Sequence, residues 1–249
     1  MRIGITERGD AGLDLSWKSK MHTVDGAVLI TKSINNDFID IVLKEDKPVI
    51  VHCTCTGYGG TVLEPNVHPY HEQLSALRKL IDMGFPEERT VIRVDPIIPT
   101  PKGCSVAGDV LYTASCIFPK YAGRVRFSFI DVYEHIKKRY PPFCTLYSGT
   151  TPPTDAIKLA FDYLKLYRAW LGRPFQACAE NFGSQADDML VKCTGCISQE
   201  DIRLLGLQYD EELGRKGQRS SCMCLSCKTE LLTNRHPCAN GCLYCYWRD

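Results

Sequence analysis

The chain lacks long apolar runs, a charge excess of either sign and an export signal, and each absence excludes a class of protein. No apolar stretch approaches the roughly 18 residues that a membrane-spanning helix needs. The 30 basic and 29 acidic residues give a formal net charge of +1, so neither a nucleic acid nor an anionic membrane is indicated as a partner. The first ten residues carry charges too early for a secretory signal. We therefore expect a cytoplasmic protein without a membrane partner.

Cysteine, by contrast, is abundant, with 14 residues in a chain of 249. A chain that is 44% hydrophobic can build a core without disulfides. In a reducing compartment the cysteines remain thiols, and clustered thiols bind metals. Nine of the 14 lie between Cys178 and Cys245. This concentration predicts metal binding by the C-terminal part of the chain.

Short apolar segments alternate with helical patterns over the first 180 residues. Helices are predicted over residues 71–83 and 154–171, because each has an apolar face and ends at a glycine. This alternation favours a parallel sheet covered by helices. Six strands suit a partial, (β/α)6-type TIM-like barrel better than a closed barrel, which needs roughly 250 residues. The predicted strands span residues 2–6, 27–31, 48–53, 90–94, 124–130 and 175–179.

The composition changes near residue 192. A short helix is predicted over residues 198–205, with Ser198 as its N-cap and Asp201 at the third position, and cysteine-rich sequence follows it. We interpret residues 1–191 as the partial barrel. Residues 192–249 are then a cysteine-rich iron–sulfur extension packed on the barrel.

The C-terminal sequence HPCANGCLYCYWRD contains Cys238, Cys242 and Cys245 in a C-x3-C-x2-C spacing. Three thiolates on a loop that bends at Gly241 can each bind one iron of a 4Fe–4S cluster and leave the fourth iron open. An open iron can chelate S-adenosylmethionine, and the aromatic Tyr244 fits the C-x3-C-x-aromatic-C pattern of the radical S-adenosylmethionine superfamily. The alternatives are a zinc site that borrows a ligand such as His236, or half of a ferredoxin-like site.

Six further cysteines precede this motif. Cys193 with Cys196, and Cys224 with Cys227, have the paired spacing of a four-thiolate zinc ribbon. An auxiliary 4Fe–4S cluster, bound entirely by protein, is the competing interpretation. The full set is Cys178, Cys193, Cys196, Cys222, Cys224 and Cys227.

Short motifs along nearly the whole chain are similar to those of one bacterial family. They include RGD at residues 8–10, TGYG at 56–59, VIRVDP at 91–96, SFIDVY at 128–133 and GCLYCY at 241–246. The chain resembles a family known as a domain of unknown function, whose C-terminal cysteine cluster has been likened to the radical S-adenosylmethionine motif. The resemblance implies one open cluster on the terminal triad and one auxiliary 4Fe–4S cluster. Its recurring auxiliary cysteines match Cys178, Cys193, Cys222 and Cys224, with Cys196 and Cys227 of this chain as alternative ligands.

A terminal triad implies a circularly permuted barrel, because radical enzymes of this class usually carry the motif after their first strand. Barrel sites lie at the carboxyl ends of the strands. We therefore expect a mouth that binds the cofactor and faces the cluster. Its candidate residues are Lys32, Thr56, Gly57, Tyr58, Arg93, Asp95, Asp131 and Glu180.

Several of these residues have a structural alternative. Arg93 and Asp95 can form an internal ion pair, Lys32 can be a surface cation, and Glu180 can cap a helix. Cys53 and Cys55 face the same side of a predicted strand, where they either border the cavity or are buried inert thiols.

The leading functional hypothesis is a radical S-adenosylmethionine enzyme. Its cofactors are S-adenosylmethionine and one or two 4Fe–4S clusters, with zinc as the alternative at the auxiliary site. Its partners are a small-molecule or nucleotide substrate and an external electron donor of the flavodoxin or ferredoxin type. The alternative is a zinc or iron–sulfur protein without catalysis, in which the cysteines stabilise the fold.

Overall fold

A single parallel sheet of eight strands organises the chain, curling into a half barrel. The computed structural model describes residues 1–180, 182, 191–209, 213–215, 222–232 and 238–247. The spatial order of the strands is β7-β6-β5-β4-β3-β2-β1-β8. Their bounds are β1 Ile3–Ile5, β2 Gly26–Thr31, β3 Val49–Thr54, β4 Thr90–Ile97, β5 Arg124–Phe129, β6 Phe175–Cys178, β7 Val191–Thr194 and β8 Lys228–Glu230.

The predicted α/β class and all six predicted strands are confirmed. The prediction missed β7 and β8, which form the two edges of the sheet. Both are short and carry lysines, and neither shows the apolar pattern of a strand buried on both faces. Both come from the cysteine-rich part of the chain, so that part contributes strands to the sheet at each edge.

Helices cover one face of the sheet, as the alternating pattern predicts. The predicted helix over residues 154–171 is divided near Leu166 into two, and Gly172 ends the second with a φ of +62°. The helices are α1 Asn36–Leu43, α2 Tyr70–Asp82, α3 Pro101–Ile117, α4 Glu134–Arg139, α5 Thr154–Lys165, α6 Arg168–Leu171 and α7 Gln199–Leu204. None of the helices in the described part of the chain combines the length and the hydrophobicity that crossing a bilayer requires.

The two faces of the sheet have separate hydrophobic clusters, because successive side chains of a strand point to opposite faces. Leu29 and Val51 pack on the outer face, which the helices cover. Val28 and Ile50 pack on the inner face, against Ile202 of α7. The inner face is therefore filled by the segment around α7.

A buried ion pair joins α7 to the inner face. Arg124 of β5 donates to Asp201 at 2.5 Å, and Arg126 lies 3.6 Å from the other carboxylate oxygen. Burial opposes the charge of Asp201, but Arg124 and Arg126 keep the pKa of Asp201 below its usual range. The Ser198 hydroxyl caps α7 by accepting from the Asp201 N–H, and the Asp201 carboxylate accepts in turn from the Ser198 N–H, in the predicted capping arrangement.

We predict that Asp201→Ala lowers the free energy of unfolding by about 3–5 kcal/mol, because two buried guanidinium groups lose their counter-charge. Urea titration followed by circular dichroism measures the change. The control is Asp82→Ala, which removes the exposed Arg78–Asp82 pair of α2 and is expected to leave stability unchanged. An Asp201→Ala protein as stable as the parent would show that the pair does not hold α7 in place.

His52 of β3 is fully buried on the inner face, and its ring nitrogens have no hydrogen-bond partner among the described residues. Burial, together with Arg126 and Arg93, holds the pKa of His52 well below 6.5. The folded state therefore binds this proton more weakly than the unfolded state, and stability is lost as the pH falls below 6.5.

We predict that His52 contributes a loss of about 1 kcal/mol in unfolding free energy between pH 6.5 and 5.5. Unfolding titrations at both pH values, on the parent and on His52→Gln, measure this contribution. The variant is expected to show the shallower pH dependence. Equal slopes for the two proteins would mean that His52 is protonated in the folded state.

Candidate functional site

A cavity of about 580 Å³ lies at the carboxyl ends of the strands. The loop after β1 contributes Asp10 to its wall, β2 is followed by Lys32, and β5 is followed by Asp131. The C-terminal segment completes the wall from Cys238 to Trp247. The cavity therefore occupies the edge of the sheet where barrel sites are found.

The three terminal cysteines Cys238, Cys242 and Cys245 all line this cavity. Cys242 is buried and the other two are half-buried. The turn between the first two passes through Gly241 at a φ of +65°, a left-handed conformation that favours glycine. The Gly241 N–H donates to the Cys238 carbonyl at 3.2 Å. The predicted bend at Gly241 is confirmed.

Asp10 ties the terminal segment to the first two strands. Its carboxylate accepts hydrogen bonds from the Asn240 side chain at 2.6 Å and from the Lys32 backbone N–H at 2.8 Å. The Thr31 hydroxyl and the Gly12 N–H donate to its other oxygen. One buried carboxylate thus fixes two strand-end loops and the cysteine segment relative to one another.

A second buried carboxylate, Glu64, holds the aromatic residue of the motif. It accepts hydrogen bonds from Lys32 and Thr56, each at 2.7 Å, and from the Tyr244 hydroxyl. Burial opposes the charge of Lys32, but Glu64 and Cys242 raise the pKa of Lys32 above its ordinary value. Lys32 is therefore a largely buried cation, with 14% of its side chain exposed, that faces Cys242, and it is not the surface cation of the alternative interpretation.

Hydrogen bonds between three further residues and the backbone of the terminal segment hold that segment in place. Arg139 of α4 donates to the carbonyls of Leu243 at 3.0 Å and Cys245 at 2.7 Å. The Asn66 side chain donates to the Ala239 carbonyl at 2.7 Å, and the Leu243 N–H donates to the Leu63 carbonyl at 2.9 Å. The sequence assigned no role to Arg139, Asp10 or Glu64, because a residue that binds a distant loop leaves no local pattern.

Arg93 and Asp95 form an ion pair within β4, and both line the cavity. The Ser128 hydroxyl donates to the second oxygen of Asp95. Burial opposes the charge of Arg93, whereas Asp95 raises the pKa of Arg93 above its ordinary value. The pair is therefore both the internal ion pair of one interpretation and part of the cavity wall, as the other interpretation expected.

Four other candidate residues lie behind the wall and not on it. Thr56 binds Glu64, and Gly57 has a φ of +86° and packs so closely on α3 that a Cβ atom would lie 2.3 Å from Val106. Tyr58 is half-buried in the cluster that contains Cys242. Glu180 accepts a hydrogen bond from the Phe129 N–H at 2.7 Å, at the end of β5. These residues support the cavity wall.

A second group of four thiols lies beside the same cavity. The sulfur atoms of Cys178, the last residue of β6, and Cys196, after β7, are 3.3 Å apart. The Cys196 N–H donates to the Cys224 sulfur at 3.1 Å, and Cys224 contacts Cys222. Cys178, Cys196 and Cys222 line the cavity. The four thiols therefore follow one another in the order 178, 196, 224 and 222.

Cys193 and Cys227 do not join this group. Cys193 packs on the outer face of the sheet, whereas Cys178 and Cys196 belong to the inner-face cluster. Cys227 is buried, its carbonyl accepts from the Ile3 N–H, and no hydrogen bond joins its sulfur to another thiol among the described residues. The two C-x2-C pairs predicted as a zinc ribbon do not converge. His236, the suggested zinc ligand of the terminal motif, lies outside the described residues.

Cys53 and Cys55 of β3 are buried on the outer face, away from the cavity. Their sulfur atoms are 3.5 Å apart and both contact Gln73 of α2. Burial raises the pKa of Cys55 well above its ordinary value. They fit the interpretation as inert core thiols.

The candidate ligand atoms differ in how closely they approach one another. Ligands of one tetrahedral zinc ion at 2.3 Å lie about 3.8 Å from one another. Within the described ranges, one group of three ligand atoms lies within 4.8 Å of one another: Glu7, Cys196 and Cys224. The three terminal sulfurs do not form such a group, so at least two of them are more than 4.8 Å apart.

A model of the family described as a domain of unknown function, DUF1848, matches residues 15–247. A search of curated proteins finds no match to the chain. The family match spans strands β2 to β8 and all three terminal cysteines. The chain therefore belongs to the DUF1848 family.

Proposed function

We propose that this protein is a radical S-adenosylmethionine enzyme whose 4Fe–4S cluster is bound by Cys238, Cys242 and Cys245. The observation that carries the proposal is the position of these three thiols. They lie together on the wall of a cavity at the carboxyl ends of parallel strands. When bound, a cluster with one open iron supplies the electron that cleaves S-adenosylmethionine to a 5′-deoxyadenosyl radical.

The electrostatics of the site support an anionic cluster there. Burial raises the pKa of Cys242 to about 12 in the metal-free protein, so iron must replace the thiol proton on binding. The buried Lys32 cation faces this sulfur and remains charged through its pair with Glu64. A cation at this position offsets the negative charge that three thiolates bring into a poorly solvated site.

The remaining wall suits a zwitterionic cofactor and a small substrate. Arg93 presents a cation beside Asp95, and Asp131 adds a carboxylate at the end of β5. The Arg8 guanidinium lies 4.9 Å from the centre of the Trp247 ring, which is also at the cavity. A cavity of about 580 Å³ is of ordinary size for a cofactor-binding pocket. A small molecule or nucleotide is the expected substrate.

The order of the strands supports a circularly permuted barrel. β8 comes from the C-terminal part of the chain, yet it pairs in parallel with β1 at the edge of the sheet. If β8 is counted first, the strands follow one another in sequence from β8 to β7. The cysteine triad then follows the first strand, as in other radical enzymes of this class.

An external donor of the flavodoxin or ferredoxin type in the cytoplasm is the expected electron source.

The second candidate function is a zinc or iron–sulfur protein without catalysis. The compact group of Glu7, Cys196 and Cys224 favours it, because these ligand atoms are close enough for one ion. In that case the metal would join the segment before β8 to the segment after β7 and stabilise the fold.

We predict that protein reconstituted anaerobically with iron and sulfide is brown. It should release 5′-deoxyadenosine when incubated with dithionite and S-adenosylmethionine, as measured by liquid chromatography. Cys242→Ala should remain folded and lose this product, whereas Cys116→Ala, which alters an exposed thiol of α3, should keep it. A colourless parent protein that holds only zinc would contradict the enzyme hypothesis.

We predict that Lys32→Met shifts the midpoint potential of the cluster to more negative values, because a buried cation beside Cys242 is lost. The rate of 5′-deoxyadenosine release should fall about tenfold, which corresponds to 1.4 kcal/mol. A redox titration followed by electron paramagnetic resonance measures the potential. Lys32→Arg should restore most of both values, and Lys18→Met, at an exposed lysine, should change neither. An unchanged potential in Lys32→Met would rule out this electrostatic role.

A further inference from the structure

We infer that Cys178 and Cys196 form a redox-active dithiol that reduces a small-molecule disulfide in the cavity and closes to a disulfide of its own. The inference goes beyond the proposed function and does not rest on it, because neither thiol belongs to the terminal triad and S-adenosylmethionine takes no part. It also assigns these two cysteines a role other than the auxiliary 4Fe–4S ligands that the family resemblance implies.

The first observation is the distance between the two sulfur atoms. They are 3.3 Å apart, closer than the roughly 3.8 Å between two thiolates on one tetrahedral ion. Thiolates on different irons of a cluster are farther apart still, because each lies beyond its own iron. A disulfide bond is about 2.05 Å long, so the two sulfur atoms must approach by about 1.2 Å to form one. The contact is that of a dithiol, which a small movement of the two side chains closes.

The second observation is that this pair faces the cavity. Cys178 ends β6, Cys196 follows the neighbouring β7, and both line the cavity. Cys53 and Cys55 have their sulfur atoms 3.5 Å apart, but they pack on the outer face of the sheet. Only 5% of Cys178 and 6% of Cys196 is exposed. A molecule small enough to enter the cavity can therefore reach this pair, whereas a protein disulfide cannot.

The third observation is a strained backbone residue beside the pair. Ala179 directly follows Cys178, lines the cavity and has a φ of +57°. It is the one non-glycine residue with a positive φ among the described residues. A Cβ atom disfavours this left-handed conformation, and strain of this kind clusters at functional sites. The strain lies where the chain turns away from β6, directly after the Cys178 thiol.

The fourth observation is the positive charge near Cys196. Arg126 is fully buried and donates to the Cys196 carbonyl at 3.3 Å. Arg93 lines the same cavity, and its Nε has no hydrogen-bond partner in the described part of the chain. The nearby carboxylate of Glu7 is paired with Lys228 at 2.8 Å. Cations beside a cysteine favour its thiolate, which is the nucleophile of thiol–disulfide exchange. Cys196 is therefore the attacking thiol.

The reaction is a thiol–disulfide exchange in two steps. The Cys196 thiolate attacks one sulfur of the substrate disulfide, which breaks the substrate S–S bond, forms a mixed disulfide and releases the first thiol. The Cys178 thiolate then attacks the Cys196 sulfur, which forms the Cys178–Cys196 disulfide and releases the second thiol. The two cysteines lose two electrons and two protons, and the substrate gains both as it becomes two thiols.

The test uses the parent protein, purified anaerobically without added metal and then exposed to glutathione disulfide. Free thiols are blocked, and cross-linked tryptic peptides are identified by mass spectrometry. The parent should yield peptides joined by a Cys178–Cys196 disulfide. Cys53 and Cys55 are the internal control and should remain reduced in the same sample, because they lie on the outer face. This measurement needs no substitution, so it does not depend on the folding of a variant.

Two single variants identify the attacking thiol. Cys178→Ser should accumulate a mixed disulfide between Cys196 and glutathione, because the second step is blocked. Cys196→Ser should lose both products and leave Cys178 reduced. The matched control is Cys193→Ser, which alters a thiol of β7 on the outer face and should keep the disulfide. Circular dichroism verifies that each variant is folded.

Three results would overturn the inference. Cys178 and Cys196 would both stay reduced in the parent, or the disulfide would join Cys196 to Cys224, or the parent would hold iron or zinc that both single variants release. The outcome is separable from that of the proposed function. A parent protein that forms the disulfide but releases no 5′-deoxyadenosine would uphold the dithiol and reject the radical enzyme.

Discussion

The inner face of an incomplete barrel must be covered, and this requirement determines where the rest of the structure lies. A sheet that ends at β7 and β8 leaves apolar side chains and two arginines on its inner face. The segment around α7 covers them, and Asp201 supplies the counter-charge that makes burial of Arg124 and Arg126 tolerable. The chain runs from β7 into this segment and then to β8. Packing of the segment on the inner face therefore also brings Cys196 and Cys224 together.

The terminal cysteine segment depends on a comparable arrangement at the carboxyl ends of the strands. Two buried carboxylates, Asp10 and Glu64, each bind both the terminal segment and residues of the β2 end. Such residues cost free energy to bury unless every oxygen is satisfied, and here partners from several elements satisfy them. The position of the triad over the cavity is thus a property of the whole barrel mouth and not of the motif alone.

The two cysteine groups differ in geometry in a way that separates the functional hypotheses. The terminal sulfurs are spread along a cavity wall beside one buried lysine, an environment suited to a reactive centre. The cysteines of the second group contact one another in a row and lie near several cations. Two of them, Cys196 and Cys224, form a compact group with Glu7. A purely structural metal would explain the second group but would not require the open cavity of about 580 Å³ that both groups share.

Much of the fold of this protein could be predicted from the amino-acid sequence alone. Short continuous apolar runs and glycine-terminated helical faces predicted the α/β class, six strands and the helix of residues 71–83, because those patterns reflect burial of continuous surfaces. The spacing of Cys238, Cys242 and Cys245, with Gly241 between them, indicated one loop, since a motif within eight residues is local. The edge strands β7 and β8, the proximity of Cys196 and not Cys193 to Cys178, and the contacts of Asp10, Glu64 and Arg139 were decided by tertiary structure only. Each depends on contacts between segments that are far apart in the chain. In a short polar strand, the pairing register also determines which face of the sheet a cysteine lies on, because a shift of one residue moves every side chain to the opposite face.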